Sequence, residues 1–164
     1  MEDPQPQPST PAQNQQSSIH PEILQLLARM QSGGSWFFWI AGLSIVNSVI
    51  ALSGNGTRFV VGLGITQIID AITQNANDIG KAVGLIINLG AAGIFALFGI
   101  FARKGNTACF IIGMVVYALD ALLLVPFQLW LSIGFHAFAL FCIFSGFAAQ
   151  RKLVRIAASA PQEA

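Results

Sequence analysis

Charge is what this sequence has least of: 9% of its 164 residues are Asp, Glu, Lys or Arg, against roughly a quarter in an ordinary soluble domain. With 54% hydrophobic residues there is too little polar material to clothe a water-facing surface, so a soluble fold is excluded. The net charge of +1 lacks the basic footprint of a nucleic-acid binder, and no nucleic-acid partner is expected. Cysteine is scarce as well. Cys109 and Cys142 stand far apart with no metal-ligand spacing, which argues against a zinc or iron-sulfur centre. If the last two spans turn near Gln128, these cysteines differ in depth by about 8 Å, more than a disulfide tolerates.

Enzyme signatures are missing too. The phosphate-binding GxxxxGK[ST], the dinucleotide GxGxxG, the GxSxG nucleophile turn and the HExxH zinc helix do not occur, and Gly62 with Gly64 makes only a GxG fragment. No cofactor or metal is expected, and no catalytic residue is assigned. The sequon Asn55-Gly56-Thr57 matters only in a glycosylating secretory pathway, of which the sequence gives no sign.

What the sequence does have is long uncharged apolar runs, at 36–53, 82–102, 108–127 and 129–149. Each matches the roughly 17 to 25 residues that a helix needs to cross hydrocarbon. Arg58, Lys81, Arg103, Lys104, Arg151 and Lys152 lie outside the runs, and only Asp120 sits well inside one. The fold expected is therefore all-α: an integral membrane four-helix bundle with short amphipathic interfacial helices.

Four regions follow. Residues 1–19, rich in Pro, Gln and Ser, bury too little to offset ordering entropy and are expected to be a disordered tail. No cleavable signal peptide is visible, so the first span is expected to act as an uncleaved anchor. Residues 20–34 carry Pro21 in a first-turn position and Ile23, Leu26, Leu27 and Met30 at helical spacing until Gly33 and Gly34, which predicts a short amphipathic juxtamembrane helix. Trp36 and Trp39 fit an interfacial belt. Residues 35–152 form the four-span domain, and 153–164 a short cytoplasmic tail.

Within the membrane domain, 58–78 holds a second amphipathic pattern, with Ile65, Ile68, Ile69 and Ile72 opposite Gln67, Asp70 and Gln74. The apolar run 59–72 is too short for a span and contains Asp70, so an interfacial or re-entrant helix is expected rather than a fifth crossing. Residues 103–107 hold a Lys-Gly-Asn turn, and Pro126 ends the third span. Orientation follows from the cations. With four spans and a cytoplasmic N-terminus, six of the eight (Arg29, Arg103, Lys104, Arg151, Lys152 and Arg155) lie inside and two (Arg58 and Lys81) outside. A five-span arrangement scores equally well, and both put the C-terminus in the cytoplasm. Arg151, Lys152 and Arg155 read as ordinary positive-inside flanking charge.

The remaining feature is one polar residue per span: Asn47, Asn88, Asp120 and His136, each about 9 to 12 Å deep at helical rise. Polar groups in hydrocarbon turn inward, and Ser44, Ser48, Gly84, Ala92, Ala96, Gly113, Tyr117, Ser132 and Ala139 share their helix sides. Asp120 and His136 are thereby expected to face each other. As a structural layer, Asn47, Asn88, Tyr117, Asp120 and His136 hydrogen-bond one another and set helix register, each bond contributing about 0.6 to 2 kcal/mol. The function expected is that of a non-enzymatic accessory or interaction subunit, whose partners are the lipid bilayer and either another membrane protein or a second copy of the chain. The alternative is a small-solute or proton transporter or channel that uses the layer around Asp120 and His136. Catalysis ranks last because no convincing nucleophile accompanies the pair.

Overall fold

The computed structural model describes residues 21–53, 62–73 and 75–159. The N-terminal tail, the sequon and Arg58 lie outside the described residues, as do Phe59 and Gln74. Among the described residues five α-helices form: α1 (Pro21–Leu52), α2 (Gly64–Thr73), α3 (Asp78–Arg103), α4 (Thr107–Leu123) and α5 (Trp130–Ser159). No strand occurs among the described residues. Four of the described segments are long and apolar enough to cross a membrane: α1, α3, α5, and α4 extended by a 3-10 turn to Phe127. The ten-residue α2 is not one of them.

Local chemistry explains the ends. Asn77 caps α3 by accepting from Gly80 N–H at 2.9 Å, and Asn106 caps α4 by accepting from Cys109 N–H at 3.1 Å. Gly105, at φ 83°, makes the turn between them. Pro126 lies in the 3-10 turn Val125–Phe127, after which Gln128 at φ 53° reverses the chain into α5. Helices α1, α3, α4 and α5 form a ring in chain order, α1 lying between α3 and α5. At its centre the Phe37 side chain is fully buried, 6.0 to 6.4 Å from the rings of Phe95, Phe98 and Phe110.

Two expectations change. The juxtamembrane helix and the first span are one continuous element, because Gly33 and Gly34 are contact points and not breaks. A Cβ on Gly33 would lie 2.5 Å from Gly146 Cα of α5, and one on Gly34 would lie 2.8 Å from Arg103 Cγ of α3. A break here would strand backbone hydrogen-bonding groups, which an apolar medium penalises. At the other terminus, α5 carries the expected tail on as helix through Ser159.

Gln150 Nε2 donates to Gly105 O at 3.0 Å and to Thr107 Oγ1 at 2.7 Å, tying the α3–α4 turn to α5. Beyond that level α1 and α5 run on for about 14 Å, with Leu26, Met30, Ala149 and Leu153 in the same apolar cluster. Arg29, Arg103, Lys104, Arg151, Lys152 and Arg155 gather at this basic end. The opposite end holds α2.

Candidate functional site

Residues 62–64 bring the chain inward beside α1. Leu63 N–H donates to Ser44 Oγ at 2.7 Å, and Ser44 donates in turn to Ile40 O at 2.8 Å. Gly62 permits the approach. Its φ of 124° suits only glycine, and a Cβ would lie 2.9 Å from Ser44 Oγ. From there α2 runs back outward, since Ser48, one turn nearer the end of α1, meets Asp70, and Thr73 packs on Gly84 near the start of α3. The segment thus dips inward along α1 and returns toward the same end of the bundle, the path that a re-entrant helix takes.

Part of its polar face is turned toward the protein. Gly64 and Thr66 are buried and Gln67, Ile68, Ile69 and Asp70 half-buried, whereas Ile65 and Ile72 are exposed on the outer face. Lipid is the medium that such a face fits.

A helix N-terminus leaves its first N–H groups without partners, and at this depth they need an acceptor from elsewhere. Asp120 on α4 supplies it: Oδ2 accepts from Gly64 N–H at 2.6 Å and Oδ1 from Ile65 N–H at 2.8 Å. The positive end of the α2 dipole favours the carboxylate. His136 Nε2 lies 2.9 Å from Asp120 Oδ2, and His136 Nδ1 donates to Ser132 O at 2.7 Å. Tyr117 stacks on the imidazole with ring centroids 4.3 Å apart. Gln67 Nε2 donates to Ser132 Oγ at 3.0 Å, so α2, α4 and α5 meet in one polar knot. His136 is fully buried and Asp120 is 6% exposed.

A second cluster lies nearer the end of the bundle. Asn88 Nδ2 donates to Ser48 Oγ at 2.8 Å and to Asp70 Oδ1 at 2.6 Å, and Ser48 Oγ donates to Asp70 Oδ2 at 3.1 Å. Asp70 lies outside the four spans. Burial pushes its carboxyl up from the ordinary carboxylate range, against the pull of the Ser48 and Asn88 hydrogen bonds.

The five candidate residues thus fall into two groups instead of one layer. Tyr117, Asp120 and His136 meet around the α2 N-terminus; Asn88 joins Ser48 and Asp70; Asn47 is buried on α1 next to Ser48. The Tyr117 hydroxyl and Asn88 Oδ1 are buried without a hydrogen-bond partner among the described residues. Ser44, Gln67, Asp70 and the α2 backbone were missed as members of these clusters. The available signal was α2 itself, whose polar face needed partners if it lay within the membrane. Cys109 and Cys142 are unpaired and half-buried.

These features are those of an integral membrane protein of the multi-pass helical class, with four candidate spans and one short helix packed against them. No protein-family model matches the chain, and no curated protein or solved structure matches it either.

Proposed function

We propose that the chain is a non-enzymatic accessory or interaction subunit of a membrane, with its C-terminus and N-terminal tail in the cytoplasm. One observation carries the reading: the buried Asp120–His136 pair is used up by the chain itself. Both carboxylate oxygens and both ring nitrogens have intramolecular partners, so the pair offers no free atom to a solute or a reacting group. Its role is to hold α2 in place. Six of the eight cations at one end favour a cytoplasmic basic end.

Reconstituted protein should therefore leave proteoliposomes tight to protons and small ions from roughly pH 5 to 8 under an imposed potential. A pH-dependent flux that both Asp120→Asn and His136→Gln abolish, with each variant still folded, would overturn the reading in favour of conduction. Conduction is the second reading because the Tyr117 hydroxyl and Asn88 Oδ1, which have no hydrogen-bond partner among the described residues, leave polar atoms for a solute or water. Extraction in mild detergent should yield a defined complex above the 17.5 kDa chain mass, and a bare monomer from native membranes would count against a subunit role. Orientation has its own check. Single cysteines next to Lys104 and Arg155 should label only from the cytoplasmic side, and labelling from the other side would reverse the topology.

A further inference from the structure

Polar contacts hold α2, and the most buried of them is its N-terminal cap. A short amphipathic helix has a second resting place at the membrane interface, where water satisfies its free N–H groups. Docked and released positions of α2 are thus two states of one element, and the acceptor strength of Asp120 sets the balance between them.

That acceptor strength depends on a single proton. A carbonyl oxygen only accepts, so the 2.7 Å contact with Ser132 O puts a hydrogen on His136 Nδ1. The 2.9 Å contact between Nε2 and Asp120 Oδ2 then needs one further proton between those two atoms. The docked arrangement is complete when the pair holds that one shared proton and no other number.

We propose that Asp120 and His136 form a proton-operated latch, which holds the re-entrant helix α2 docked while the pair carries one shared proton and releases it when that proton is lost or a second is gained. On loss, the Nε2 lone pair faces Oδ2, a hydrogen bond disappears and an uncompensated negative charge stays buried. The other tautomer, with its hydrogen on Nε2, only moves the clash to Nδ1 and Ser132 O. On gain, the neutral carboxyl presents an O–H where Gly64 N–H, Ile65 N–H or Nε2–H needs an acceptor. Docking weakens either way. Among the described residues, other titratable groups near the pair are few: Tyr117 of α4 stacks on the ring, and Asp70 of α2 is held by Ser48 and Asn88. The buried polar residues that α1 and α3 contribute at this end, Ser44, Asn47, Ser48 and Asn88, do not titrate. Apart from His136 itself, α5 adds only Ser132 beside the ring.

The test uses the full chain in proteoliposomes, with Cys109→Ala and Cys142→Ala and one new cysteine at a time. Thr66 is fully buried on the inner face of α2, whereas Asn75, in the turn that follows α2, is exposed. The labelling rate of Thr66→Cys by a membrane-impermeant maleimide is divided by that of Asn75→Cys, which corrects for the general rise of thiol reactivity with pH. Between roughly pH 5 and 10 the ratio should pass through a minimum and rise about tenfold or more beside it, as expected when a charge-assisted hydrogen bond is lost. Asp120→Asn, whose amide cannot give up or gain the shared proton and whose single oxygen accepts only one of the two N–H groups, should give a raised ratio with no minimum; His136→Gln should lose the alkaline rise. Asp70→Asn should keep the whole profile. A flat profile in folded protein with Asp120 and His136 intact overturns the latch. So does a profile that survives Asp120→Asn or disappears with Asp70→Asn.

Discussion

Asp120→Leu should lower stability by several kcal/mol and expel α2 from the bundle, while Asp120→Asn costs about 1 to 2 kcal/mol. Leucine removes the acceptor of Gly64 N–H, of Ile65 N–H and of His136 Nε2 together. Each buried group left unpaired costs about 1 to 3 kcal/mol, so full retention of the docked geometry would cost roughly 3 to 9. The chain has a cheaper route. Releasing α2 to the interface hydrates its N–H groups and caps the penalty at the free energy of docking. Asparagine keeps one acceptor and gains a donor that suits neutral His136, which leaves only one backbone N–H unsatisfied. The reference is Val115→Leu, at a position 53% exposed on the lipid side, and it should change little. Thermal melting in detergent, with Thr66→Cys labelling to report α2, measures both effects. Equal melting for Asp120→Leu and Val115→Leu would mean that Asp120 neither caps α2 nor sets register.

The parts of this site that were legible in the sequence are those that depend on a single helix. Run length identifies the spans, and the small residues beside Asp120 and His136 put the two on facing sides. What was hidden depends on the medium. Periodicity places Gln67 and Asp70 opposite Ile65 and Ile72, but the same stripe serves an interfacial helix with its polar side in water and a re-entrant one with its polar side in the protein. Counting depth along straight helices made one layer out of Asn47, Asn88, Asp120 and His136. The missing element was α2, whose start joins Asp120 and whose later turn joins Asn88, and a short helix without a span's length gives no depth to count from. Gly33 and Gly34 were ambiguous for a related reason: glycine ends helices in water, yet in a bilayer it is also how two helices come close.

That close approach carries the other large effect. At the crossing of α1 and α5 a Cβ on Gly33 would lie 2.5 Å from Gly146 Cα, and one on Gly146 would lie 2.6 Å from Gly33 Cα. Both obstructions are backbone, so no side-chain rotation relieves them. Gly146→Leu must push the helices apart, and the loss spreads along the seam on which Leu26, Met30, Ala149 and Leu153 pack. Overpacking of this kind costs about 1 to 3 kcal/mol where side chains can yield, and a backbone contact puts the expectation at the top of that range or beyond it. Gly134→Leu is the matched control, because nothing lies within 4 Å of a Cβ there and the same helix carries both changes. The Gly146 variant should lose most of its folded fraction in mild detergent, judged by size-exclusion profile and melting, while the Gly134 variant behaves as the parent chain. Gly33→Leu should match Gly146→Leu, and the two together should cost less than their sum, because one separation of the helices relieves both clashes. Parent-like melting for Gly146→Leu would mean that α1 and α5 do not cross at these glycines, and the reading of Gly33 as a contact would fall with it.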